Sequence, residues 1–324
     1  MINQFRSLNP VNLIFLALVA IILRVGVLVK LPEQLSFSLF EPYADILVKV
    51  PEDFFTPFSN VFYAAVIVFI QAVLLNRIVN NYNLLGKPSF IPALMYVTAT
   101  SLLEPFIVLS PALIANFLII WMIDKFLSIY RREQVLSVIF DLGMIVAAGA
   151  LIYSPFVVML PLVWLALIVF RPFYWREWLA APLGFITVCF FIGTFYYLKD
   201  SLDIFLDSGP LATTFRTGFK VNLYDYTVLI PLVLILILSF FTLRSKFYRS
   251  NVHVRKAYYV LLFLFLFGLL SFYVKSEYSV HHFLLALPAA SVFMGHFFAS
   301  STRRWFYEGL YILLAVFIIY FQFV

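Results

Sequence analysis

Glu41 and Asp45 lie four residues apart in a stretch that alternates apolar and acidic residues. On a helix that spacing puts both carboxylates on one face, where they can serve as a general base or as two ligands for a divalent metal ion. The plain alternative is the solvated side of an interfacial helix. Glu104, in LLEPF, is a further candidate for a metal or sugar contact, against simple solvation at an interface. His281 and His282 follow Lys275 and Glu277, and imidazoles there can hydrogen-bond a phosphate or bind a metal beside a carboxylate. Adjacent histidines point in different directions on a helix, so one at most faces a bundle interior. Arg216 and Lys220, with Gly209 and Gly218, form another stretch able to approach an anion. Arg24 is the cation set deepest in an apolar run, and a charge at a membrane centre costs about 3 kcal/mol on insertion scales. It therefore either reaches outward toward Lys30 or faces a cavity and holds an anion.

The composition says what must position these groups. Of 324 residues, 64% are hydrophobic and 12% charged, with a mean hydropathy of +1.01. A soluble globular domain carries about 25% charged residues, so that class is excluded. The single cysteine, Cys189, rules out a disulfide framework within the chain. The net charge of +6 resides mainly in short loops between apolar runs, where it reads as a topology signal rather than a nucleic-acid surface. No P-loop and no GxGxxG motif occurs in a loop, which disfavours soluble nucleotide chemistry.

Apolar runs of spanning length, with few charges, fall near 11–29, 61–76, 90–103, 106–123, 136–152, 154–170, 178–198, 226–243, 257–274, 280–299 and 305–324. These predict an all-α polytopic transmembrane bundle of about eleven spans in a single membrane domain, 1–324. The pairs joined by LLEPF and YSPF are hairpins or re-entrant elements as readily as full crossings. Arg6, Arg77, Lys87, Arg131, Arg132 and the clusters RPFYWREW and RSKFYRSNVHVRK share one side in this topology. The positive-inside rule then puts the N-terminus in the cytoplasm and leaves an acidic outer face. The basic-aromatic clusters are of the kind that attract anionic lipid headgroups.

Two outer connections, 30–60 and 199–225, are far longer than the usual helix–helix connection. Tyr43, Ile46, Leu47 and Val50 follow helical spacing in the first, and Leu202, Ile204, Phe205 and Leu206 form an apolar group between aspartates in the second. Both read as amphipathic interfacial helices, or as plugs that seal the outer surface.

A long amphipathic loop after the first span and another after the seventh resembles the layout of GT-C glycosyltransferases. Two stretches are similar to that family in sequence: LGMIVAAGALIYSPFVVMLPLVWLALIVFRP at 142–172 and HHFLLALPAASVFMGHFFAS at 281–300. Taken whole, the chain also resembles a group of uncharacterised bacterial inner-membrane proteins of about this length, with motifs such as RPFYWREW. The GT-C resemblance implies transfer of a sugar from a polyprenyl-phosphate carrier on the outer leaflet of the bacterial inner membrane. It implies Asp45 or Glu41 as the base. Arg24, His281, His282, Lys275 and Arg216 would contact the lipid phosphate, and Glu104 a divalent metal. The family usually presents an Asp soon after its first helix, whereas this sequence has Glu33 there and no adjacent acidic pair before Glu52 and Asp53. A non-catalytic membrane subunit with envelope protein partners is the alternative reading, and a transporter or flippase a third.

Overall fold

In a computed structural model the described residues are 1–31, 55–130, 132–203, 227, 229–247, 250–274 and 280–323. The chain is helical throughout these residues. The helices are α1 (Ile2–Phe5), α2 (Val11–Ile22), α3 (Val25–Val29), α4 (Pro57–Asn81), α5 (Ile91–Ala99), α6 (Glu104–Ile107) and α7 (Pro111–Ser128). After them come α8 (Leu136–Ile152), α9 (Met159–Phe170), α10 (Trp175–Leu198), α11 (Leu229–Phe247), α12 (Val252–Leu270), α13 (Leu287–Ser300) and α14 (Arg304–Phe323). Short 3₁₀ segments occupy Ser154–Val158, Ser271–Tyr273 and Val280–Ala286.

Local chemistry sets several of these boundaries. Thr56 and Ser110 cap α4 and α7 by accepting from the backbone N–H of Ser59 and Leu113, and each is followed by a proline at the first helical position. There the missing proline N–H costs nothing. In α2 the regular ladder stops at Leu23, and α3 resumes one residue after Arg24.

Among the described residues, six helices are long and apolar enough to cross a membrane, and four more apolar helices are shorter. The expected span at 90–103 is the nine-residue α5, about 14 Å long at 1.5 Å per residue, against a hydrocarbon core of about 30 Å. Its sequence explains the early stop. Thr100 and Ser101 turn their hydroxyls back onto the carbonyls of Tyr96 and Val97, and Pro105 follows. YSPF turns the chain between α8 and α9 through a 3₁₀ segment. The amphipathic helices expected within 30–60 and 199–225 fall almost wholly outside the described residues.

Every residue of α5 is buried, and so is nearly all of α13, which packs against it. Helices that are apolar all round belong in the middle of a bundle. The remaining helices surround this pair and turn their apolar faces outward. Ile14, Leu18 and Ile21 of α2, Phe62, Val66 and Ile70 of α4, and Leu183, Ile186 and Phe190 of α10 are all exposed. An outer surface of that kind suits lipid rather than water.

Contacts divide the bundle into two ends. Arg6 donates to the carbonyls of Phe298 and Ser301, the amide of Phe90 to Phe5, and the Tyr258 hydroxyl to Leu84, which gathers the basic loops at one end. Lys125 pairs with Asp141 at 2.7 Å, which accounts for the charge at the start of α8. At the other end Lys30 donates to the carbonyl of Phe323.

The tightest helix contact joins α8 and α10. A Cβ on Gly143 would lie 2.0 Å from the carbonyl oxygen of Ala181, so the two backbones touch only because no side chain stands there. Gly143→Val must separate them and is expected to lower the thermal midpoint of the detergent-solubilised protein sharply, at a cost of about 1–3 kcal/mol or more. Gly309→Ala, where a new Cβ meets nothing within 4 Å, is expected to leave the midpoint unchanged. Equal midpoints for the two variants would refute this packing.

Candidate functional site

A buried polar seam crosses the apolar core, and Arg24 stands at one end of it. Arg24 is 1% exposed, and its Nη1 donates to the carbonyl of Ala20 at 2.9 Å. The side chain thus turns back along α2, as helical side chains do, instead of reaching outward with Lys30. Its Nε and Nη2 have no hydrogen-bond partner. Arg24 lies thirteen residues beyond the start of α2, about 20 Å along a helix axis, at the point where the ladder breaks.

Tyr96 is the electrostatic neighbour of the guanidinium. Its hydroxyl donates to Oε1 of Gln71 at 2.8 Å, while Nε2 of Gln71 donates to the carbonyl of Leu113 at 2.7 Å. Asn116 donates from Nδ2 to the Tyr96 hydroxyl at 3.3 Å and to the carbonyl of Leu284 at 3.0 Å. Four elements, α4, α5, α7 and the 3₁₀ segment Val280–Ala286, are thereby tied together across the core. Seven residues is long for a 3₁₀ run, and irregular backbone at such depth survives only where protein covers it.

His282, in that segment, is fully buried and hydrogen-bonded through Nδ1 to the Tyr153 hydroxyl, with the two rings 5.6 Å apart. Ser271 donates to the His282 carbonyl at 3.2 Å. His281 is only partly buried, so the adjacent pair divides between inside and rim. Gln322 of α14 closes the Arg24 side by donating to the carbonyl of Leu23 at 2.6 Å and, at 3.4 Å, to that of Ser101. This approach requires Gly26, since a Cβ there would stand 2.4 Å from Cβ of Gln322.

Several seam atoms keep unused hydrogen-bonding capacity: the two Arg24 donors, Oδ1 of Asn116 and Oε1 of Gln322. Such atoms are costly in a dry core, the charged ones most of all. A bound anion would satisfy the guanidinium.

The structure brings Arg24 and His282 to the same polar region: Arg24 lies within electrostatic range of Tyr96, and Asn116 links the Tyr96 hydroxyl to the backbone at Leu284, two residues from His282. Glu104 does not join it; it stands exposed in the first turn of α6. No three His, Cys, Asp or Glu side chains cluster to hold a metal ion among the described residues. Glu41, Asp45, Arg216 and Lys275 lie outside the described residues. The sequence reading missed Gln71, Tyr96, Asn116, Tyr153 and Gln322. Isolated amides inside apolar runs, FIQAV, IANFL and YFQFV, were the signal for three of them.

A helical bundle with six helices long and apolar enough to cross a membrane among the described residues, lipid-suited outer faces and a polar seam in a buried core is that of a membrane protein. The chain belongs to DUF6427, a family of unknown function, whose profile matches residues 47–324. The matched segment holds Gln71, Tyr96, Asn116, Tyr153, His282 and Gln322, whereas Arg24 precedes it. No curated protein and no solved structure matches the chain.

The seam predicts opposite signs for two substitutions. Tyr96→Phe strands Oε1 of Gln71 and is expected to cost about 1 kcal/mol of stability. Arg24→Met removes a charge that no carboxylate among the described residues compensates, and should leave the thermal midpoint of the ligand-free protein unchanged or raised. A loss of several kcal/mol in Arg24→Met would instead mark the guanidinium as a paired structural group.

Proposed function

We propose that this chain is a polytopic inner-membrane protein of about eleven crossings, N-terminus in the cytoplasm, that binds a polyprenyl-phosphate-linked sugar from the outer leaflet and transfers the sugar in the manner of GT-C enzymes. One observation carries the reading: Arg24 is wholly buried, carries two unpartnered N–H donors and sits at a helix break. Retaining such a group costs stability, and a lipid phosphate entering from the side of the bundle supplies the charge it lacks.

The chemistry follows from that placement. The acceptor hydroxyl gives its proton to Asp45 or Glu41 of the 30–60 connection, its oxygen bonds to the anomeric carbon, and the bond from that carbon to the phosphate oxygen breaks. The negative charge released on the phosphate is matched by Arg24, with Lys275, Arg216 and His281 as further donors. His282 acts as a positioning residue, because its Nδ1 is engaged by Tyr153.

A non-catalytic subunit of an envelope assembly is the competing reading. It is favoured by the lack of any carboxylate on the seam among the described residues. The test is sugar transfer from a radiolabelled polyprenyl-phosphate sugar by membranes of a deletion strain, complemented at equal protein level. Arg24→Met and Asp45→Asn are each expected to reduce transfer about a hundredfold or more. Wild-type rates in both variants would remove the proposed site. Absence of transfer by the wild type, together with a stoichiometric co-purifying partner, would favour the subunit.

A further inference from the structure

The basic end of the bundle holds a cavity of about 660 Å³, within the range of small-ligand sites, that the seam does not use. Its walls come from four places: Arg6 after α1, the 83–89 connection between α4 and α5, the start of α12, and the end of α13. We propose that this cavity binds a phosphate group, carried either by a lipid headgroup or by a soluble ligand.

Four features converge on that chemistry. The start of α12 borders the cavity through Ser250, Asn251 and Val254, and the Asn251 side chain makes no cap, so the positive end of the helix dipole stands at the cavity without that cap. Lys87, also in the lining, stands exposed and forms no ion pair among the described residues. Arg6 supplies a second cation, pinned by its bonds to Phe298 and Ser301 and lying 4.1 Å from the ring centre of Tyr307, with its Nε left without a partner. Ser89 is 2% exposed and lines the cavity, and its Oγ has no partner.

The 83–89 connection is built to hold its shape. Asn80 brackets Ser89 by donating to its carbonyl at 3.0 Å and accepting from its N–H at 3.1 Å. Asn83 and Gly86 take the positive φ values of 49° and 79° that turn the chain around the rim. No acidic residue appears among the described residues lining the cavity. Two cations, an uncapped helix start and a buried hydroxyl donor with no opposing carboxylate make a site for a multiply charged oxyanion.

The test uses full-length protein in neutral detergent, titrated calorimetrically with inorganic phosphate and, separately, with short-chain phosphatidic acid. Lys87→Glu reverses a charge on an exposed side chain. Asn251→Asp provides a better helix cap, so the fold is retained while the anion is repelled. Each is expected to weaken binding about tenfold, and Ser89→Ala about threefold, with Gly309→Ala, away from the cavity, binding like the wild type. Phosphate and lipid binding with similar affinity would identify a soluble ligand. Much tighter binding of the lipid, displaced by phosphate, would identify a headgroup. The proposal is overturned if neither probe binds, or if Lys87→Glu and Asn251→Asp bind as the wild type does. A failure here leaves the sugar-transfer reading intact, since that reading is assayed at the other end of the bundle.

Discussion

The burial of one guanidinium constrains much of what surrounds it. Arg24 sits in an apolar bundle with a single carbonyl as its hydrogen-bond partner, and a cation so placed is costly unless the protein around it is polarisable or a counter-charge can reach it. The Tyr96 hydroxyl provides part of that environment, and its own hydrogen bonds to Gln71 and Asn116 hold it in place. Those amides in turn fasten α4 to α7 and α7 to the segment before α13. The seam is thus a chain of groups each of which needs the next, and α5, buried on every side, is its spine.

The same arrangement explains the irregular backbone. A continuous helix through 280–300 would be long enough to cross a membrane, yet its first seven residues wind as a 3₁₀ segment. The carbonyls that regular α-helical pairing would use are then free to accept from Asn116 at Leu284 and from Ser271 at His282. Interrupting a helix in lipid is tolerable only with such replacements, and here they come from neighbouring helices. The break in α2 at Leu23 has the same logic, since Gln322 takes up the carbonyl that the ladder releases.

Much of the architecture was legible because apolar runs of spanning length leave little freedom in lipid. The helices at 57–81, 175–198 and 304–323 cover the runs that hydropathy marked, while the run at 106–123 is divided between α6 and a helix that starts only at Pro111 and extends to Ser128. The run at 90–103 misled, because hydropathy does not register that Thr100 and Ser101 compete for helix carbonyls. Arg24 was legible as an isolated charge. Its burial was not, for snorkelling and burial share one sequence pattern. Tyr96 and Tyr153 were hidden by composition: among so many aromatics, nothing local separates a hydroxyl committed to a core network from an interfacial anchor. Glu104 stands exposed at the start of α6, where a carboxylate beside a proline turn stays solvated without a partner having to be built for it. The cavity at the basic end is assembled from four separated segments, so no local pattern announced it.

The hydrogen bond from Gln322 to Leu23 joins residues 299 positions apart, and Lys30 meets Phe323 over a similar separation. During synthesis the helix bearing Arg24 leaves the translocon long before its covering helix has been made. Through that interval the charged helix must rest against lipid, water or an insertase, and the buried environment described above forms only once α14 has packed against it. Quality control that inspects exposed intramembrane charge would therefore read a copy still lacking α14 by its Arg24.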